Sequence, residues 1–310
     1  MLTYPSDAPV RDDRPAFRVY SATVSRIEQR TPHFRRVTFT SPDFTTFGTD
    51  GLDQRIKLLF PLEGVGISDI GDTPDWYTRW RDLPNEARNP IRTYTVRAVR
   101  QHEAEVDVDF VVHNDDHGAS GPAAQWLLAA DAGSEIAIVG PDARSINSAI
   151  GIDWHPGTAT ELLLVGDETA TPAICSILES LPAGTRATAF IEVPSVADAV
   201  EIHTTADVTI TWIGRDASGA LLEESVRGWV AENRDLLTLA PAAQELEDVN
   251  VDIELIWDSP EDATGRFYAW LAGESAVIKR LRRLLVTETG VDRSRVAFMG
   301  YWRLGKSEGQ

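Results

Sequence analysis

Six residues, Arg92-Thr93-Tyr94-Thr95-Val96-Arg97, follow the two-residue period of a strand and bring a cation, an aromatic ring, a hydroxyl and a second cation together. On such a strand Arg92 and Tyr94 fall on one face. An aromatic face can cover an isoalloxazine ring, and a hydroxyl such as that of Thr95 can hydrogen-bond its polar edge. The guanidinium groups of Arg92 and Arg97 can pair bidentately with a pyrophosphate. That chemistry is flavin binding; the plainer reading of the same residues is an amphipathic surface strand with two solubilising arginines.

Downstream, His117-Gly118-Ala119-Ser120-Gly121-Pro122-Ala123 leads into an apolar helix with Pro122 in its first turn. Gly118 and Gly121 let backbone approach a phosphate, and the open amides of a helix start, Ala123 among them, point partial positive charge at it. A Gly-Pro pair before a helix is also common punctuation. The loop gains weight from its place after a strand, Val106 to His113, with Val106, Val108, Phe110 and Val112 on one face. His113 and His117 stand four apart, but across a strand end and a loop, with no third ligand cluster. A phosphate or flavin contact is expected of them, and no metal site.

A second constellation is Gly166-Asp167-Glu168-Thr169-Ala170-Thr171-Pro172, which leaves a buried strand and opens a helix, the ligand position of an open parallel sheet. No Gly-x-Gly-x-x-Gly is present, which disfavours a Rossmann dehydrogenase. The alternative is an ordinary strand–helix connection capped by Thr171 with Pro172 in first position. Glu192, near the end of the next strand, can bind a ribose hydroxyl and repel a 2′-phosphate, which favours NADH over NADPH. Glu274 reads also as a first-turn acid on its own helix dipole. Lys279, Arg280, Arg282 and Arg283 read as a solvated helix face, or as a docking patch for an acidic electron donor.

The elements that must position these residues fall into two patterns. Phe17 to Ile27, Phe34 to Thr40, Gln54 to Phe60, Arg92 to Val99, Val106 to His113 and Ser134 to Val139 read as six short antiparallel strands of a small barrel. Leu62 to Pro90, rich in Gly, Pro and Asp, reads as a functional loop outside that sheet. From Leu162 on, strands alternate with helices, the pattern of an α/β domain with a parallel sheet. Strands are expected at 162–165, 186–193, 208–213, 251–257, 268–271 and 295–301, with helices at 172–181, 221–232 and 274–289. A chain of 310 residues suggests two domains, placed at 1–155 and 156–310.

Composition narrows the partners. The net charge of -19 disfavours nucleic acid or anionic lipid as the main partner. The single cysteine, Cys175, excludes an intramolecular disulfide and a cysteine-ligated iron–sulfur cluster. Residues 1–13 lack an apolar signal region, and no run approaches the roughly 18 apolar residues of a membrane span. A cytoplasmic location, away from the membrane, is the expectation.

Taken in order, Ile56-Lys57-Leu58-Leu59-Phe60-Pro61, the Arg92 strand, the 117–127 loop, the 166–173 loop, Trp270-Leu271-Ala272-Gly273-Glu274 and Gly300-Tyr301-Trp302-Arg303 resemble the siderophore-interacting protein family of FAD-dependent ferric-siderophore reductases. The resemblance implies an antiparallel FAD-binding barrel followed by an α/β nicotinamide domain of the ferredoxin-reductase type. It places Gly273 and Glu274 near nicotinamide and flavin, and Trp302 near the flavin. It maps siderophore-facing cations onto Lys57 and Arg303, and onto Arg144, although Gly140-Pro141-Asp142-Ala143-Arg144-Ser145 departs from the glycine-rich form expected there. The implied activity carries electrons from NADH or NADPH through FAD to siderophore-bound Fe(III), for iron assimilation. A flavin reductase, a flavoprotein fed by a ferredoxin-like donor, and a flavin-bearing siderophore carrier without turnover are the rival readings.

Overall fold

A computed structural model describes residues 10–112, 121–216, 221–237, 239–242, 244, 256–261 and 265–305. Chain contacts divide these into two units. The first comprises 10–28, 36–108 and 121–151; the second comprises 29–35, 109–112 and the described residues from 152 onward.

The first unit is built on an antiparallel sheet. Its strands are β1 (Phe17–Thr31), β2 (Phe34–Thr40), β3 (Arg55–Leu59), β4 (Ile91–Thr95), β5 (Ala98–Arg100), β6 (Glu105–Val111) and β7 (Glu135–Pro141). They lie in the order β4-β3-β7-β1-β2-β6-β5. There are therefore seven strands where six were expected, because the run read as one strand, Arg92 to Val99, breaks after Thr95. The Val96 amide donates to the Gln54 carbonyl beside β3, whereas the next amide, Arg97, donates to Asp107 on β6. Two consecutive residues thus serve opposite ends of the strand order, and the sheet curls into a half-barrel whose edge strands are contiguous in the chain. Val106, Val108 and Phe110 are buried on the inward face of β6, as their alternation requires.

The segment from 62 to 90 is organised by polar bonds. It carries a short helix, α1 (Trp76–Arg81). Buried Asn89 donates to the carbonyls of Phe60 and Gly66 at 2.9 and 2.8 Å and accepts from the Ser68 amide at 2.9 Å, so its amide side chain takes the place of missing backbone pairs. Trp80 donates to the Asn89 carbonyl at 2.8 Å and packs with Ile70 over Leu59, Ile91, Ala137 and Val139. Helix α2 (Pro122–Ala129) follows the 113–120 stretch.

The second unit carries β8 (Glu161–Gly166), β9 (Arg186–Val193), β10 (Asp207–Gly214), β11 (Trp257–Asp258), β12 (Phe267–Glu274) and β13 (Val296–Trp302) in the order β10-β9-β8-β12-β13-β11. The sheet is mixed rather than wholly parallel: the two-residue β11 runs antiparallel to β13, and all other ladders are parallel. Most of the strand expected at 251–257 lies outside the described residues. β8 is buried throughout, which is why Leu162-Leu163-Leu164-Val165 reads as an unbroken apolar run.

Helices α3 (Thr171–Ser180), α4 (Leu222–Glu232) and α5 (Ser275–Arg282) complete the unit. Leu222, Val226 and Val230 recur every four residues and bury one face of α4, and Ile278 and Leu281, three apart, bury one face of α5, against Leu163, Val165, Leu271 and Phe298. Each such side chain contributes about 1.5–3 kcal/mol on burial. The α-helical part of the last helix is shorter than the expected 274–289, since Arg283–Glu288 form a π-helical turn before Gly290 at φ 82°. Among the described residues no helix is long and apolar enough to cross a membrane.

Candidate functional site

The second sheet defines its own ligand position. From β8 the chain goes to β9 and β10 on one side, while β12 and β13 lie on the other, so the order reverses between β8 and β12. Ligands of open α/β sheets bind outside the carboxyl ends of strands at such a reversal. A cleft of about 410 Å³ opens there, and Asp167, Glu168, Glu192, Gly273, Glu274 and Trp302, all singled out in the sequence, line it. Thr169 follows on the same loop and Thr171 opens α3; neither is among the lining residues.

Asp167 ties the floor together. Its Oδ1 accepts from the Thr169 amide at 2.9 Å and the Thr169 hydroxyl at 2.5 Å; its Oδ2 accepts from the Glu274 amide at 2.8 Å and Trp302 Nε1 at 2.7 Å. One carboxylate thus joins the ends of β8, β12 and β13. Glycine is required opposite it: Gly273 sits at φ 153°, and a Cβ there would lie 2.7 Å from Asp167 Oδ2. Burial, followed by the nearby Glu168 charge, pushes the Asp167 carboxyl up to about 6, against the pull of its hydrogen bonds from Thr169 and Trp302.

The loop threonines and Glu274 have local work. Thr171 is the first residue of α3 and not its cap; its hydroxyl donates back to the Asp167 carbonyl at 3.1 Å. Glu274 caps α5, its Oε2 accepting from the amides of Ala276 at 2.7 Å and Val277 at 3.0 Å. The helix-start reading of Glu274 therefore holds.

Arg215, just after β10, was not singled out in the sequence. Its two Nη atoms grip Glu168 Oε2 and Oε1 at 2.5 and 2.6 Å, and Nη1 also donates to Glu192 Oε1 at 3.2 Å. Glu168 is fully buried, Glu192 and Arg215 partly so. A lone arginine after a strand has no distinguishing signal; only the β9–β10 pairing, which sets Glu192 opposite Ile213, brings it to the acids.

In the first unit Arg92 and Tyr94 are half-buried and share a face, opposite Leu58 and Ile56 of β3. Thr95 is buried on the other face, and Arg97 is half-buried at the break before β5. β4 ends the strand order, so an aromatic ring and a guanidinium flank a sheet edge. Gly121 is the N-cap of α2 with no side-chain cap bond, Pro122 and Ala123 open the helix, and a Cβ on Gly121 would meet nothing within 4 Å. An aromatic, cations and an uncapped helix start suit an isoalloxazine ring and its pyrophosphate. His113, His117 and Gly118 lie outside the described residues.

The cations read as siderophore-facing have specific surroundings. Lys57 stands opposite Thr93 and Val139, on the face away from Arg92 and Tyr94, and Nζ donates to Thr93 Oγ1 at 2.5 Å. Arg144 is clamped bidentately by buried Asp142, Nε to Oδ1 at 2.9 Å and Nη2 to Oδ2 at 2.6 Å. Burial of Asp142 is outweighed by those bonds, so its carboxyl is held below the usual range. Arg303 is half-buried beside Trp302. In the last helix Arg280, Arg282 and Arg283 pair with Glu223, Asp258 and Glu288, which favours a neutralised face over a docking patch.

Known proteins resemble this chain in sequence and fold. A sequence profile described as siderophore-interacting FAD-binding domain matches residues 23–145, and one described as siderophore-interacting protein matches 159–305. An uncharacterised protein of Mycobacterium tuberculosis is 33% identical over 282 residues, 89% of this chain and 87% of that one. Ferric vibriobactin reductase ViuB of Vibrio cholerae is 29% identical over 299 residues, 94% of this chain and 92% of its own. The crystal structure of the siderophore-interacting protein SipS from Aeromonas hydrophila matches with a TM-score of 0.65 at 28% identity, covering 95% of each chain. As fold alone, the likeness extends to ferredoxin reductases, which sets the class: a two-domain, ferredoxin-reductase-like architecture. Within that class the chain belongs to the siderophore-interacting protein family.

Proposed function

We propose that this protein is a ferric-siderophore reductase that holds FAD on its first unit and takes electrons from a nicotinamide dinucleotide bound in the cleft of its second. The observation that carries the reading is the likeness to ferric vibriobactin reductase over 92% of that protein, since a match of that extent includes both halves an electron relay needs. Bound FAD would supply the exchange between two-electron and one-electron transfer. The chain's own residues supply binding and orientation. Tyr94 covers the ring, Arg92 and Arg97 pair with the pyrophosphate, and the α2 start at Gly121, Pro122 and Ala123 completes the cradle, whereas Thr95 is buried on the other face of β4. In the cleft, Asp167 holds Trp302 and the α5 start in fixed register, and Gly273 leaves room for a ligand to approach. Lys57 and Arg303 offer positive charge to an anionic ferric siderophore, Arg144 less so because Asp142 holds it. No side-chain proton donor is required for reduction of the iron.

The test is anaerobic spectroscopy of the purified protein. Bound FAD should bleach on adding NADH or NADPH and recover on adding a ferric siderophore, with Fe(II) captured by a ferrous chelator. Bleaching without recovery would make the protein a flavin reductase. Recovery after chemical reduction, but no bleaching by either nucleotide, would point to a protein electron donor. Arg92→Ala with Tyr94→Ala should strip most of the FAD, and a fully occupied, unchanged flavin spectrum in that variant would remove the cradle from β4.

A further inference from the structure

The cleft holds one arginine between two acids, and the three groups differ in what they can release. Glu168 is buried and takes both Nη atoms of Arg215, whereas Glu192 is a fifth exposed and takes a single longer bond. At neutral pH two carboxylates and one guanidinium leave a net negative charge. Arg215 is the basic side chain among the described residues lining this cleft. For its guanidinium to turn both Nη atoms to a phosphate it must abandon a buried carboxylate, and an uncompensated buried charge is strongly unfavourable.

We propose that the Glu168–Arg215–Glu192 triad reads the 2′ position of the adenosine ribose, with Arg215 as a specificity-determining residue that is withheld from a 2′-phosphate. The inference rests on the proposed nicotinamide site and names its substrate as the unphosphorylated dinucleotide. Glu192 lies at the carboxyl end of β9, next to the strand that opens the cleft, where an acid accepts hydrogen bonds from ribose hydroxyls. A 2′-phosphate placed there adds between one and two negative charges to a group that already carries an excess. Arg215, clamped by Glu168, neutralises Glu192 only in part. Sequence alone leaves Glu192 unopposed; the structure makes discrimination depend on how firmly Glu168 keeps Arg215.

The ordering of variants tests this. Wild-type protein should bind NAD+ more tightly than NADP+ and be reduced more efficiently by NADH than by NADPH. Glu192→Gln removes a charge while Arg215 stays clamped, and should raise the NADPH-to-NADH efficiency ratio roughly three- to tenfold. Glu168→Gln loosens the clamp, frees Arg215 to meet a phosphate and should raise the ratio further. Arg215→Ala bares both acids and should lower it below wild type. Binding of 2′,5′-ADP against 5′-AMP, followed by calorimetry, should show the same order without any turnover. If Glu168→Gln fails to fold, Glu192→Gln and Arg215→Ala still bracket wild type. A ratio unmoved by all three variants, with both nucleotides still binding, would overturn the triad and leave the nicotinamide site standing. Failure of every nucleotide and fragment to bind the wild type would overturn both.

Discussion

Asp167 is the residue on which most of the cleft depends, and its ionisation has a sign that can be measured. Its carboxyl titrates near 6 when folded, against 3.8 in an unperturbed chain. A raised folded value means that the protonated form is favoured by folding. This group therefore contributes stability that is complete below about pH 4 and is lost as pH rises through 6. A rise of that size corresponds to about 3 kcal/mol at most. Asp107, Asp142 and Asp198 act in the opposite sense, being held below their usual values, so the whole-protein curve mixes both signs. The difference between wild type and Asp167→Asn isolates the one group. In urea titrations the advantage of wild type over the variant should shrink by about 2 kcal/mol between pH 4.5 and 7.5, the first part of the loss falling below that window. A constant difference would show that Asp167 does not ionise in that window. At this scale the sequence was legible wherever a residue sat at the carboxyl end of an apolar strand or in the loop leaving it: Asp167, Glu168, Glu192, Gly273, Glu274 and Trp302 were all marked, and all line one cleft. Arg215 was not marked, because its meaning comes from a lateral strand pairing that no local pattern encodes.

Glycine shows how the elements constrain such residues, since the same substitution should have opposite signs at two positions. Gly273 ends β12 at φ 153° against the Asp167 carboxylate, where Ala adds backbone strain and a clash. Gly273→Ala should cost about 1–3 kcal/mol and displace the Asp167–Trp302 bond. Gly228 lies exposed inside α4, where a Cβ would meet nothing within 4 Å. Gly228→Ala should stabilise the protein by about 0.5–1 kcal/mol, through helix propensity and a less disordered unfolded chain. Paired chemical denaturation curves check both. If Gly273→Ala is neutral, the close approach to Asp167 is relaxed in solution. Element positions were largely readable, because β6, β8 and α4 carry strong periodicity. What escaped reading was the break at Val96 and Arg97, where alternation continues across the bend while the hydrogen-bond partners change. β11 escaped too, being only two residues long and set by its pairing with β13.

For the molecule as a whole, a net charge of -19 opposes the approach of an anionic ferric siderophore, so any attraction must be local. Lys57 and Arg303 are half-buried, and each is tied to its own unit: Lys57 through Thr93 of the neighbouring strand, Arg303 through its place directly after β13. Their contributions can be separated by single variants. Lys57→Gln and Arg303→Gln should each weaken reoxidation of the reduced protein by an anionic ferric siderophore, seen as a rise in the concentration giving half-maximal rate. The expected size is about 0.2–1 kcal/mol per charge, a factor of roughly 1.5 to 5, because partly exposed charges are individually modest. Reduction by nicotinamide should be unaffected at Lys57, which lies in the first unit, whereas the cleft proposed to bind nicotinamide is built entirely within the second. Salt supplies the control. At an ionic strength near 1 M the screening length falls to about 3 Å, and the difference between wild type and each variant should nearly vanish. Stopped-flow reoxidation at low and high salt measures it. If Lys57→Gln reoxidises with the wild-type concentration dependence at low salt, the siderophore does not use that side chain.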